Sequence, residues 1–524
     1  MVRPLRLLML NHGGSSRLPS RLGLGVLALM LCAVALLPLA GLLLFALAGQ
    51  HSLALRPGDL TPLGHTLLLV IGVGILGAVL GTTNGWITAC CTFPGRRWLR
   101  IAQLLPLATP AYLLAATVID LGSRMQLRVH GDGWALLVLT LATYSYVFLL
   151  GTESFAQAGR RQLEACRSLG CGPWSAFRRV ALPMALPAIG AGIALSGMEV
   201  VNELGAVELL GVPTLSGGIL QRWQNDGDPQ GAVGLALLAL AVVSLLVAAE
   251  RGLRRRSRRW SLGAHGAEEP LWQLRGGRAL AAQLITLLPP LFSLGLPLLW
   301  GLLSLDQLSG ESPGELAALS LRSLGLGLVA AALTLAAGLV LAIARRWLPA
   351  RWLERIGFLA GMGYAVPGAV LALALLLLGG PLQLAPLLLL VWGYAERFLA
   401  VSKQGLDAAL ERIPPSIDEA ATGLGCSWSE VLRRIHLPLL RGPLLVGALL
   451  VFVDVVKELP LTFALRPFDF DTLSVRVYQY ASDERVGAAL LPALLILLLG
   501  LFAALALVPQ LESLDRRPER SPEG

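Results

Sequence analysis

Residues 164–183 read EACRSLGCGPWSAFRRVALP, and residues 419–438 read EAATGLGCSWSEVLRRIHLP. Laid over each other without a gap, Glu164 meets Glu419, Ala165 meets Ala420, Gly170 meets Gly425, Cys171 meets Cys426, Arg178-Arg179 meets Arg433-Arg434 and Pro183 meets Pro438. The register continues downstream, where Glu199 meets Asp454 and Glu203 meets Glu458. Upstream, after a small shift, Thr109-Pro110-Ala111 resembles Val366-Pro367-Gly368. Agreement over this length is beyond chance, so the chain is a tandem repeat, and the two polar segments hold equivalent places in its two units.

Around these segments the chain is apolar. Hydrophobic residues make up 55% of the 524 and charged residues 14%, with a mean hydropathy of +0.69, far above a water-soluble domain. Runs long enough to cross a bilayer, which takes about 20 residues, fall at 22–48, 65–91, 101–120, 133–153, 184–210, 231–250, 279–303, 317–344, 356–380, 382–397, 438–464 and 487–508. The ninth and tenth are parted only by Gly379-Gly380-Pro381. The first exceeds the core of a signal peptide, about 7–15 residues, and is expected to stay as a membrane helix. The expected architecture is all-α and integral to the membrane: a cytoplasmic tail at 1–21, a six-helix unit at 22–250, a basic linker at 251–278, a second six-helix unit at 279–508 and a tail at 509–524. An even helix count per unit gives both copies the same orientation, a parallel repeat about an axis along the membrane normal.

The formal net charge of +9 does not indicate nucleic acid, because the arginines form no basic face. They cluster between apolar runs: Arg96, Arg97 and Arg100; Arg160, Arg161, Arg167, Arg178 and Arg179; Arg251 to Arg259; Arg345, Arg346, Arg351 and Arg355; Arg412, Arg433 and Arg434. The alternate loops carry acids and amides, such as Asn225, Asp226, Asp228, Asp306, Glu311 and Glu315. This asymmetry places both termini and both repeated segments in the cytoplasm. The six cysteines form no C-x-x-C pair, so neither a disulfide framework nor a metal site is expected, and nothing calls for a cofactor.

Each repeated segment has the pattern of a docking element between the fourth and fifth helices of its unit. Leu163–Leu169 and Ile417–Leu424 suit short helices, ended by Gly170 and Gly425 in left-handed backbone. A second amphipathic helix follows, with Val180/Ile435 and Leu182/Leu437 apolar and the arginine pair exposed. Pro183 and Pro438 then mark where the membrane helix begins. Ser416, three residues before Glu419, predicts a capping box in the second copy. A phosphate-binding G-x-x-x-x-G-K-[ST] loop is missing, since Lys403 precedes Gln404 and Lys457 precedes Glu458, and no nucleophile–base arrangement is present. The chain is therefore not expected to be an enzyme.

Acids inside membrane helices are costly and usually functional. Glu199/Glu203 and Asp454/Glu458 are each four apart, predicting a shared helix face, about 24–30 Å beyond Pro183 and Pro438 at the helical rise. Two readings stand. The pairs line a translocation path with an anionic mouth that favours a cation, or Glu203 and Glu458 only contact a docked protein or pair with Lys457.

The pattern E-A-A-x-x-x-G followed by x-x-x-Leu-Pro resembles the signature loop of binding-protein-dependent ABC importer permeases, with Cys166 standing where the family usually has alanine. Residues 453–484, VDVVKELPLTFALRPFDFDTLSVRVYQYASDE, and 198–219, MEVVNELGAVELLGVPTLSGGI, are similar to fused ferric-iron importer permeases. That resemblance implies a permease of the bacterial inner membrane, driven by two copies of a separate ABC ATPase subunit seated on the two loops. It also implies cargo delivered by a periplasmic substrate-binding protein. Ferric iron is the cargo the narrower resemblance implies; thiamine or a polyamine is the alternative within the same mechanism, because the wider group carries those cations too. An ion-gradient-driven secondary transporter would leave the paired loops without a role, and a non-transporting membrane scaffold is the remaining alternative.

Overall fold

The computed structural model describes residues 18–48, 56–157, 160–260, 272–305, 312–348 and 350–515. Most of the N-terminal tail, linker residues 261–271, the acids Asp306 and Glu311, and tail residues 516–524 lie outside the described residues. Among those described, regular structure is helical except for one parallel pair, Cys91–Thr92 with Trp272–Gln273. Among the described residues, seven helices are long and apolar enough to cross a membrane, and three bent pairs raise the number to ten. Pro386–Glu411 and Val486–Asp515 stand where the tenth and twelfth apolar runs were expected.

Four of the expected spans are not straight helices. The third turns by 93° between Arg96–Ala108 and Ala111–Arg124, and the ninth by 113° between Arg351–Ala365 and Gly368–Gly379. Pro110 and Pro367 cause both breaks: each lacks an N–H and pushes its predecessor out of helical backbone, leaving Thr109 at ψ 118° and Val366 at ψ 125°. The fifth and eleventh stop early, as Leu182–Asn202 and Arg441–Lys457. Each ends at an acid in extended backbone, Glu203 (ψ 133°) and Glu458 (ψ 128°), and resumes as Gly205–Leu209 and Pro460–Leu465. Pro438 does not begin the second of these helices. Trp428–Leu439 bends by 70° into Arg441–Lys457, because Pro443 cannot donate to the Leu439 carbonyl one turn back. Pro183 stands at the second position of Leu182–Asn202, as expected, although the helical run continues back without a sharp bend to Pro173.

Within each unit, small residues let helices approach closely. Gly77, Gly81 and Gly85 form a stripe on Leu60–Cys90 that faces Asp132–Gln157, and a Cβ on Gly81 would stand 2.7 Å from the Phe148 nitrogen. Gly338 takes the same part in the second unit, against Ser402 and Lys403. Large apolar side chains such as Ile71, Ile75 and Val79 point outward and are exposed, as a lipid-facing surface requires.

The units exchange their first helices. Leu18–Ala48 packs on the second unit: Leu42 joins a core cluster with Val370, Leu371 and Leu375, and Trp392 Nε1 donates to the Val34 carbonyl at 3.2 Å. Gly277–Leu303 packs on the first unit, where Trp300 Nε1 donates to Asp120 Oδ2 at 2.9 Å and Gln103 donates to the Thr286 carbonyl. Each half is thus completed by the other's opening helix.

Candidate functional site

The two repeated segments fold alike. Arg160–Ser168 and Pro415–Gly423 are short helices, closed by Gly170 at φ 81° and Gly425 at φ 87°. In the first, Cys171 N donates to the Cys166 carbonyl at 3.0 Å and Gly170 N to Arg167 at 2.9 Å. In the second, Cys426 N donates to Ala421 and Gly425 N to Thr422, both at 3.1 Å. This is one Schellman closure built twice. A single π-helical turn follows at the same register, Phe177–Ala181 and Leu432–His436. Glu164, Ala165, Glu419 and Ala420 are exposed. So are Leu169 and Leu424 at the tips, at 84% and 86%, and the pairs Arg178-Arg179 and Arg433-Arg434.

The two seats differ, which the repeat did not reveal. Leu163 sits in an apolar bed with Trp86 and Phe155, and Trp272, from within the linker, packs tilted against Trp86. At the equivalent place the second copy carries Asp418, whose Oδ2 accepts from Arg346 Nε at 2.7 Å. Arg346 also donates to the Leu410 carbonyl at 2.6 Å and Ile413 at 3.1 Å. Ser416 makes no capping box: Pro415 starts the helix one residue earlier, with Pro414 as N-cap. The box forms instead between Ser427 and Glu430, where Ser427 N donates to the Glu430 carboxylate at 2.9 Å.

Farther along, a cavity of about 110 Å³ opens between the halves, and Glu199, Glu203, Asp454, Lys457 and Glu458 all line it. The acid pairs do not share a helix face, as their spacing predicted, because each helix ends before its second acid. Glu203 accepts from Ala206 N at 3.0 Å, and Glu458 accepts from Leu461 N and Thr462 N, both at 3.0 Å. These two carboxylates cap the helices that restart after the breaks. Glu199 and Asp454, still on helix, face the cavity differently. Asp454 pairs with Lys457 at 2.9 Å, and Lys457 reaches across to donate to the Leu107 carbonyl at 2.8 Å. Glu199 has no such base, because Asn202 stands where the second unit has Lys457 and donates nothing to it; Asn202 Oδ1 instead accepts from Gly368 N at 2.7 Å.

Tyr112, Tyr146, Tyr364 and Arg397 also line this space and were missed from sequence. Tyr112 and Tyr364 lie beside the Pro110 and Pro367 breaks, and those prolines, already marked by the repeat, were the signal available. Arg397 Nη1 donates to the Val366 carbonyl at 2.7 Å, holding the second break in place.

An all-helical tandem repeat, with two matched loops on one side and a charged cavity between the halves, defines a membrane permease of the ABC importer type. The chain belongs to the family of binding-protein-dependent transport system inner membrane components, whose profile matches residues 81–260 and again 334–509. It is 26% identical over 462 residues to the Fe(3+)-transport system permease protein FbpB 2 of Haemophilus influenzae, covering 85% of this chain and 89% of that one. It is also similar to the sulfate transport system permease protein CysT of Escherichia coli, 29% identical over 36% of this chain and 73% of the relative. The molybdenum transport system permease protein ModB of E. coli is 28% identical over 36% and 92%.

Proposed function

We propose that this chain is the membrane path of an ATP-driven importer of ferric iron, taking the ion from a periplasmic binding protein into the cytoplasm. Residues 22–250 and 279–508 are its two units, and the linker 251–278 and the tails 1–21 and 509–524 are cytoplasmic. Two copies of an ATPase subunit dock from below, one at Glu164, Ala165 and Gly170 ahead of Pro183, the other at Glu419, Ala420 and Gly425 ahead of Pro438. Closure of the ATPases draws the loops together and opens the outer face; hydrolysis separates them and opens the path inward. Glu199, Glu203, Asp454, Lys457 and Glu458 lie along that path.

The observation that carries this reading is the pair of loops with one closure geometry, each holding an uncovered leucine at its tip. A monomeric surface has no reason to build that twice. Iron is favoured because similarity to the Fe(3+) permease runs through both units, whereas the sulfate and molybdenum permeases match about a third of the chain. The test is ATP-dependent uptake into proteoliposomes holding the chain with its ATPase and binding protein, offered ferric iron, thiamine, spermidine, sulfate and molybdate in parallel. Iron uptake alone is expected. Uptake of another of these keeps the mechanism and discards iron, and flux that follows a proton or sodium gradient without ATP discards the mechanism.

A further inference from the structure

In the cavity between the halves, Glu199 is held by phenols from opposite units. Tyr146, on Asp132–Gln157, donates to Glu199 Oε1 at 3.0 Å, and Tyr364, just before the Pro367 break, donates to the same oxygen at 2.7 Å. Two more oxygens of the wall have no hydrogen-bond partner, the Tyr112 hydroxyl and Thr109 Oγ1, although their residues are only 3% and 5% exposed. A buried hydroxyl left unpaired is costly, and two of them on residues that line one cavity point to a rearrangement during transport that supplies their partner. The lining offers four carboxylates against two bases and contains no cysteine or histidine. Of the bases, Lys457 is engaged by Asp454 and the Leu107 carbonyl. Hard oxygen donors without sulfur or imidazole select a hard cation.

We infer that Tyr146, Glu199 and Tyr364, with Tyr112 and Asp454 completing the shell, are a transit site for a hard trivalent cation. The inference rests on the ferric-iron reading above and deepens it by naming the ligands. The iron stays ferric throughout. As the halves part, each new iron–phenolate bond replaces one phenolic O–H bond, and the displaced proton leaves to the water of the open path, as metal binding by protonated ligands requires. Glu199, released from two donated hydrogen bonds, binds through its carboxylate. When the ion leaves inward the phenols regain their protons and return to Glu199, so the same three side chains that hold the cargo also join the empty halves.

The full chain with its ATPase subunits, and without the binding protein so that this chain is the one offered the ion, is titrated with ferric nitrilotriacetate. The wild type is expected to give the visible phenolate-to-iron charge-transfer band. Tyr146→Phe/Tyr364→Phe should lose the band, and Glu199→Gln should weaken it. Iron uptake by the complete system should fall at least tenfold in the double variant. Tyr144→Phe, whose hydroxyl is buried outside the cavity, controls for loss of a phenol, and equal membrane insertion with co-purification of the ATPase subunits shows that the double variant has folded. Wild-type iron uptake with no band, or an unimpaired double variant, overturns the site while leaving the iron importer intact. Failure of the wild-type system to carry iron overturns both.

Discussion

Replacing Gly425 separates backbone geometry from everything else about the second loop. Gly425 stands at φ 87° with nothing within 4 Å of where a Cβ would lie, so a small side chain meets no neighbour. Gly425→Ala then carries only the left-handed backbone penalty, about 1–2 kcal/mol, a roughly five- to thirtyfold loss in the population of the closed loop. Gly425→Pro is worse. Proline holds φ near −65° and removes the N–H that bonds Thr422 at 3.1 Å, so the closure cannot form, at about 3 kcal/mol or more. The assay is uptake per ATP hydrolysed in proteoliposomes with equal amounts of inserted chain. Gly425→Ala should lower that ratio partly and Gly425→Pro should abolish it, with basal hydrolysis retained and the same order at Gly170. Wild-type uptake per ATP from Gly425→Pro would refute the assignment of this loop to coupling.

Three further outcomes follow from the packing. Arg346→Met leaves the buried Asp418 with His436 Nε2 alone, at 3.0 Å, at a cost below the roughly 3–5 kcal/mol of a buried charge left with no partner, so amide exchange should quicken across 415–425 but not across 160–170; equal exchange in both loops would contradict the ion-paired seat. Gly81→Ala forces Leu60–Cys90 away from the Phe148 backbone and should cost about 1–3 kcal/mol, seen as a lower melting temperature, whereas Gly23→Ala, with nothing within 4 Å, should leave it unchanged. On the opposite side of the membrane, the Gly231 N–H at 2.9 Å, and then, against desolvation, the Arg222 guanidinium at 2.8 Å, hold the Asp228 carboxyl below its ordinary value. A depressed carboxyl stabilises the fold above its unfolded value and loses that effect as pH falls through the folded one. Melting temperature should therefore drop below about pH 4, and Asp228→Asn should flatten that acid limb.

Much of the repeat was legible because its marks are local. A glycine at the end of a short amphipathic helix predicts left-handed backbone by its own chemistry, and Gly170 and Gly425 adopt it. The acid pairs misled because i,i+4 spacing implies a shared face only while the helix lasts, and Glu203 and Glu458 are where it stops. Ser416 misled because two prolines beside it fixed the helix start first. The prolines at 110 and 367 were visible as repeat marks, but an apolar run looks the same straight or bent, so their breaks were not read. Tyr146 and Tyr364 could not be brought together from sequence, since the contact joins the two units through Glu199 rather than any local pattern.

The exchange of opening helices bears on how the chain is made. Val34 and Trp392 are 358 residues apart, so the first helix enters the membrane long before its packing partner has been synthesised. It must wait there as a lone, lipid-solvated span, a state its nearly uninterrupted apolar surface suits. Gly277–Leu303, by contrast, arrives to find Asp120 already in place, and later residues such as Leu490 and Leu494 complete the packing around it. Translation order therefore keeps the amino-terminal helix waiting through most of synthesis, and a chain stalled before Trp392 would leave it without that partner in the bilayer.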